Sequence, residues 1–283
     1  MKIIITGAGG LVGAHLARHL AANHQVLPLG RRDLDITDRE AVLHLIFRER
    51  PGLIINCAVL GVDECERDSA LAQAVNVEGP RTLAEAAAGV SAEFLHFSTN
   101  YVFDGTRETQ SSYTIDDEPR PVNVYGETKL AGERAVRAAT SKSFIVRTSW
   151  AYGAGKDSFL GTVHRRLLAG ERVRAIADVW ANTTYVADLA ARTEEIIERR
   201  HYATYHVVNG GVCSYAEFAR EAARLVGVAG SEVNELIEVV EEATVQRLAR
   251  RPRYTPLRCL ESEALGLAPL RDWPAALAEY VAG

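Results

Sequence analysis

Residues 1–13 read Met-Lys-Ile-Ile-Ile-Thr-Gly-Ala-Gly-Gly-Leu-Val-Gly, a short apolar run that passes without a linker into a glycine cluster and then into a helical pattern. No other stretch constrains the chain as much. Ile3, Ile4 and Ile5 suit a strand buried on both faces, and the glycines let the backbone come close to a ligand. Free amides at the start of the next helix attract an anion. Together these features predict a dinucleotide site with the pyrophosphate over the helix start. Gly7, Gly10 and Gly13 give the spacing G-x-x-G-x-x-G; the simpler fingerprint G-x-G-x-x-G would need glycine where Val12 stands.

From residue 1 to about 150 strand-like runs alternate with amphipathic helices. Strands are expected at 2–6, 25–29, 53–56, 93–98 and 144–148, and helices at 14–22, 39–50, 70–88 and 125–139. Asp38 and Ser69 are placed as caps. This alternation implies an α/β fold, a Rossmann-type doubly wound parallel sheet, with ligands beyond the carboxyl ends of the strands. After residue 150 the pieces shorten: a helix at 158–169, a strand at 172–176, helices at 186–199 and 215–226 (the last capped by Ser214), and extended pieces at 235–241 and 252–257. Residues 1–150 are therefore expected to form the dinucleotide-binding domain, with later segments free to return to it. Residues 151–283 should form mainly a smaller C-terminal substrate-binding lobe.

Composition removes several function classes. The 283 residues are 47% hydrophobic and 24% charged, and no apolar run approaches the roughly 20 residues of a membrane span. The first apolar run is a strand, too short for a signal peptide. A cytoplasmic protein without a membrane partner is expected. A net charge of −5 gives no footprint for nucleic acid. Cys57, Cys65, Cys213 and Cys259 form no C-x-x-C pair, and the eight histidines are not metal-spaced, so no metal is expected.

Two groups of residues carry chemistry. Tyr125-Gly-Glu-Thr-Lys129 opens a helix, and its i, i+4 spacing puts both side chains on one face. A lysine ammonium beside a phenol favours the phenolate and brings the tyrosine toward the working range of a proton shuttle. Lysine also binds ribose hydroxyls. Tyr152-Gly-Ala-Gly-Lys156 matches the same short pattern, but its glycines make it a loop. Ser98 and Thr99, at the end of an apolar strand, are candidates to hydrogen-bond a substrate carbonyl oxygen. After the second strand, Arg31 and Arg32 favour the 2′-phosphate of NADP(H), while Asp33 and Asp35 keep NAD(H) open.

Taken in chain order, the glycine turn, Asn56-Cys-Ala58, Ser98-Thr-Asn-Tyr-Val-Phe-Asp-Gly105, Tyr125-Gly-Glu-Thr-Lys129 and Arg147-Thr-Ser-Trp-Ala-Tyr-Gly153 resemble the extended short-chain dehydrogenases/reductases. Within them the chain is most similar to the dTDP-4-dehydrorhamnose reductases. Leu34-Asp-Ile-Thr-Asp38, Asn76-Val-Glu-Gly79, Pro121-Val-Asn-Val-Tyr125 and the Arg251-Pro252 segment extend that similarity over nearly the whole chain.

The resemblance implies a reductase in which NAD(P)H delivers hydride to C4 of a nucleotide-linked 4-keto sugar, Tyr125 protonates the oxygen, Lys129 tunes Tyr125 and holds the nicotinamide ribose, and Thr99 holds the carbonyl oxygen. It further implies that Gly7, Gly10, Leu11, Val12 and Gly13 surround the pyrophosphate and that Asp35 and Ile36 approach the adenine. Asn56, Cys57, Ala58 and Ser98 would lie along the cofactor. Asn100, Tyr101, Trp150 and Arg251 would face the sugar nucleotide. Two departures concern the sugar side: Asn100 replaces the usual aspartate, and Asp178-Val-Trp-Ala-Asn-Thr-Thr184 replaces a segment usually written D-Q-x-G-x-P-T. An epimerase or dehydratase of the same superfamily, or a non-catalytic NADP-binding regulatory subunit, are the alternatives. A homodimer is compatible with the chain.

Overall fold

The computed structural model describes residues 1–107 and 111–283. Six parallel strands form the central sheet: β1 Lys2–Thr6, β2 Gln25–Leu29, β3 Leu53–Asn56, β4 Glu93–Thr99, β5 Ser143–Thr148 and β6 Thr204–His206, in the order β6-β5-β4-β3-β1-β2. The chain leaves β1 toward β2, then crosses back to place β3 on the other side of β1. That reversal opens a crevice between the ends of β1 and β3, the place where open α/β sheets bind ligands.

Strand burial explains the order. β1 and β3 carry unbroken apolar stretches and, with β4, lie in the middle, almost wholly buried. β2 contains Pro28, which cannot donate to a ladder, and it lies at the sheet edge. Helices α1 Leu11–Leu20, α2 Arg39–Glu49, α3 Gly79–Gly89, α4 Val124–Ala139 and α5 Val186–Arg199 cover the two faces. On one face Leu16 and Leu20 of α1 pack with Leu189, Ile196 and Ile197 of α5 over Ile3 and Ile5. On the other, Val42 and Ile46 of α2 and Leu83 of α3 pack over Ile4 and Ile54.

Residues beyond 150 contribute to both halves. α5 and β6 belong to the sheet and its covering layer, so the chain returns to the first half before finishing the lobe. In the lobe the helices Phe159–Leu168, Tyr215–Leu225 and Trp273–Ala282 surround a parallel pair of strands, Val173–Ile176 and Ile237–Val240.

Several local expectations need correction. The first helix starts at Leu11, not at 14, because Gly10 already accepts the amide of Ala14 and serves as its N-cap. Asp68, not Ser69, caps the helix Ser69–Gln73, accepting the amide of Leu71 at 2.8 Å. That helix reaches α3 through a π turn at Ala74–Glu78. The extended piece expected at 235–241 is found as the strand Ile237–Val240, but its first two residues close a helix, Ser231–Leu236. Asp38 and Ser214 do cap their helices, and Ser214 forms a reciprocal capping box with Glu217. Among the described residues no helix is long and apolar enough to cross a membrane, and no group of three or more His, Cys, Asp or Glu could hold a metal ion.

Candidate active site

The turn after β1 shows why its glycines are needed. Gly7 has φ +69°, and a β-carbon there would fall 2.4 Å from the amide nitrogen of Ala58. A β-carbon on Gly13 would lie 2.5 Å from the carbonyl oxygen of Gly7. The turn is thus pressed between α1 and the segment after β3, and only hydrogen fits at these two positions. Its floor is tied by Asn56, whose Oδ1 accepts from the Thr6 hydroxyl at 2.7 Å and from the amide of Ala58 at 3.1 Å.

Two hollows meet at Cys57, Ala58 and Val59. The smaller, about 280 Å³, is lined by Gly7, Gly10, Arg31, Leu34, Asp35 and Ile36 among others. Its apolar walls and the glycine turn suit an adenosine and the start of a pyrophosphate, and the glycine cradle that a β-carbon would fill fits a dinucleotide cofactor. Arg31 reaches this hollow, with Nε 3.9 Å from Asp35. Asp35 itself accepts the amide and hydroxyl of Thr37, which hold its carboxyl below the usual range. Leu60 and Val75, from the loop after β3 and the π turn, also line the hollow, although nothing in their sequence context signals it.

The larger cleft, about 450 Å³, lies between the sheet edge and the lobe. Thr99 ends β4, and Tyr125 and Lys129 stand one turn apart on α4; all three line it. α4 begins at Val124 because Asn123 caps it, accepting the amide of Gly126 at 2.7 Å. The Tyr125 phenol faces the Thr99 side chain across the cleft. Its ring meets that of Tyr101 edge-on, with centroids 5.9 Å apart. Burial raises the phenol above its ordinary range, and the nearby Thr99 hydroxyl only partly opposes this, so Tyr125 holds its proton. Lys129 is 2% exposed and burial brings it down to about 8. Its ammonium donates to the Phe97 carbonyl at 2.6 Å. The sequence expectation that Lys129 would draw Tyr125 toward the phenolate is not realised in this geometry, where burial dominates the phenol.

The sugar-side expectations divide. Asn100, Tyr101 and Trp150 line the cleft. Asn100 is tied into the lobe, donating to the Thr255 hydroxyl at 2.7 Å. Trp150, at φ +39°, stacks on Tyr215 with ring centroids 4.0 Å apart. Arg251 stands beside the cleft, close enough for its charge to act on Tyr101 and Tyr215, but does not line it: its guanidinium donates to Asp63 at 2.7 Å and to the Ala249 carbonyl at 3.1 Å, and it borders a neighbouring hollow. Arg247, four residues earlier, lines the cleft instead. Tyr215 and Lys156 also reach it. A tyrosine just after a helix cap and a lysine in a glycine loop carry no signal in sequence that would assign them there.

Along the cofactor side, Val12, Cys57, Ala58 and Ser98 line the cleft, whereas Leu11, Gly13, Arg32 and Asn56 line neither hollow. Leu11 is buried, Asn56 and Gly13 shape the turn, and Arg32 is exposed. Ser98 differs from Thr99 because successive strand residues face opposite ways. Its hydroxyl donates to the buried carboxylate of Glu133, so it is unavailable to a carbonyl oxygen. Glu133 in turn pairs with Arg147, through contacts of 2.7 and 2.9 Å, both side chains being 7% exposed. Tyr152 of the second Y-x-x-x-K match is fully buried against Phe218 and Tyr280 in the lobe, away from Lys156 in the cleft, as the glycines at 153 and 155 predict.

The RmlD substrate binding domain family matches residues 1–283. The dTDP-4-dehydrorhamnose reductase of Mycolicibacterium smegmatis is 41% identical over 285 residues, covering 99% of this chain and 85% of that protein. A dTDP-4-dehydrorhamnose reductase from Clostridium acetobutylicum superposes with a TM-score of 0.92 at 36% identity, over 100% of this chain and 99% of that one. The enzyme of that name from Bacillus anthracis, solved in complex with NADP, gives a TM-score of 0.92 at 33% identity, over 99% of this chain and 98% of that one. With the glycine cradle, the Tyr125 and Lys129 pair and this full-length match in agreement, the chain belongs to the RmlD substrate binding domain family.

Proposed function

We propose that the protein is an NADPH-dependent reductase of a dTDP-linked 4-keto sugar, acting as a dTDP-4-dehydrorhamnose reductase. The observation that carries this reading is the meeting of a protonated, buried phenol with the Thr99 hydroxyl at the mouth of the cleft that joins the dinucleotide hollow. A regulatory subunit has no need of that pair.

The geometry supports a role for each residue. Thr99 Oγ1 accepts from the amide of Tyr101 at 3.1 Å, which fixes the hydroxyl at the strand end, and the hydroxyl can turn from Asn100 toward a carbonyl oxygen. Tyr125, whose proton burial retains, donates it as charge grows on that oxygen. Lys129, one turn further along α4, would hold the cofactor's ribose hydroxyls. Gly7, Gly10, Val12 and the amides opening α1 would hold the pyrophosphate, and Cys57 and Ala58 the ribose. When bound, the nicotinamide supplies the reducing electron pair. Stacked Trp150 and Tyr215, with Arg247 beside them, form a wall suited to a nucleotide diphosphate. Such an enzyme draws on the cytoplasmic NADPH pool.

The test is NADPH oxidation across a panel of nucleotide-linked 4-keto sugars, with NADH alongside. Oxidation in proportion to dTDP-4-keto sugar is expected. No net loss of NADPH, with sugars interconverted, would replace the reductase by an epimerase. Arg31→Ala should raise the KM for NADPH by about tenfold and leave that for NADH within about twofold, since a 2′-phosphate contact of roughly 1–2 kcal/mol is removed. An equal change for both cofactors would move the 2′-phosphate elsewhere.

A further inference from the structure

Beneath the cleft a continuous chain of buried hydrogen bonds runs from β1 to α4. The Thr6 hydroxyl and the amide of Ala58 both donate to Asn56 Oδ1; the Asn56 amide nitrogen lies 3.0 Å from His96 Nδ1; His96 Nε2 lies 3.1 Å from Lys129 Nζ. Asn56 and His96 have no solvent exposure. A backbone amide can only donate, so its contact identifies Oδ1 and leaves the Asn56 NH2 facing His96. His96 Nδ1 must then accept, and a neutral imidazole with Nδ1 accepting carries its hydrogen on Nε2. That hydrogen points at the lysine nitrogen.

We infer that His96 is a positioning residue that governs the proton of Lys129: locked by Asn56 in the tautomer with hydrogen on Nε2, it presents the lysine with a donor where an ammonium needs an acceptor. The inference deepens the proposed reductase site and rests on that reading only for its kinetic part. An ammonium at Nζ can satisfy one of its hydrogens at the Phe97 carbonyl, but it meets N–H against N–H at His96. The neutral amine removes this conflict by accepting the imidazole hydrogen on its lone pair. The surrounding charges do not reverse the effect. Glu133, one turn along α4, favours the ammonium, while Cys57 and Cys65 face it as thiols that burial keeps uncharged; burial outweighs the carboxylate and Lys129 stands near 8. His96 cannot relieve the conflict by taking a proton, because burial and then the charge of Lys129 hold it well below the usual histidine range. The consequence is a lysine that exchanges its proton with solvent near the working pH, beside a phenol that must be reprotonated after each turnover.

The conservative variant His96→Gln supplies a side-chain carbonyl at nearly the place of Nε2, and so an acceptor for the ammonium. With only four lysines in the chain, ε-13C-lysine NMR resolves Lys129 by comparison with Lys129→Arg. The Lys129 midpoint is expected to rise by at least about one pH unit in His96→Gln, and the falling alkaline limb of kcat/KM for NADPH-dependent reduction to rise with it. An unchanged midpoint in the folded variant overturns the inference. An NMR midpoint that rises while the limb stays fixed upholds it and counts against Lys129 acting in reduction. Should His96→Gln fail to fold, 15N NMR of histidine-labelled wild type decides: an unprotonated Nδ1 at His96 upholds the tautomer, and a protonated Nδ1 overturns it.

Discussion

Tyr125→Phe is expected to lower kcat by at least about 10²-fold while leaving the affinity for NADPH within about twofold. Phenylalanine keeps the ring that meets Tyr101 edge-on and loses only the hydroxyl. That hydroxyl is the proton donor in the proposed reaction, and loss of a positioned general acid costs roughly 10²–10⁴ in rate. Stability should hardly change, because Thr99 keeps its contacts to Asn100 and to the amide of Tyr101 and is not left unpaired. Steady-state turnover, cofactor titration by fluorescence quenching and thermal melts read the three quantities separately. Equal turnover in Tyr125→Phe and wild type would mean that another group delivers the proton.

The second large effect is on stability. Arg147→Met should lower stability by about 3–5 kcal/mol, because it leaves Glu133 as a buried carboxylate without its guanidinium. At roughly 2–4 °C per kcal/mol for a chain of this size, the melting temperature should fall on the order of 10 °C. The double variant Glu133→Leu with Arg147→Met should recover most of that loss, since a pair replaced by apolar side chains removes both charges from the interior. Glu133 is also the charge that most favours the Lys129 ammonium, so the recovered double variant should still titrate Lys129 lower than wild type. A single variant that melts with wild type would show that Glu133 has taken up a proton or reached water. The pair links the strength of the sheet to the chemistry above it, because Ser98, two residues beyond His96, hangs from the same carboxylate.

Local order in the sequence was enough for much of this. The unbroken apolar runs at Ile3–Ile5 and Leu53–Ile55 could only be central strands, and the glycines between β1 and α1 could only mark a close backbone approach. The one-turn spacing of Tyr125 and Lys129 placed both on one helical face, and the glycines after Tyr152 separated the second match from it. Arg251 shows where such reasoning stops. A cation near the end of a family-like segment suits an anionic ligand, but whether it reaches one depends on Asp63, 188 positions away in sequence, which captures it. Ser98 shows the same limit on a smaller scale: the adjacent hydroxyls look equivalent until the strand is laid against α4 and one meets Glu133.

What the amino-acid order determined alone was everything with a short period: the parallel α/β plan, the glycine turn and the tyrosine–lysine pair, because helix and strand repeats are set by neighbours within a few residues. What only the tertiary structure decided was which polar groups became partners. The chain from Thr6 through Asn56 and His96 to Lys129 spans three strands and a helix. Burial then removed water as a competitor, so that one amide in a loop after β3 fixed where a histidine keeps its hydrogen.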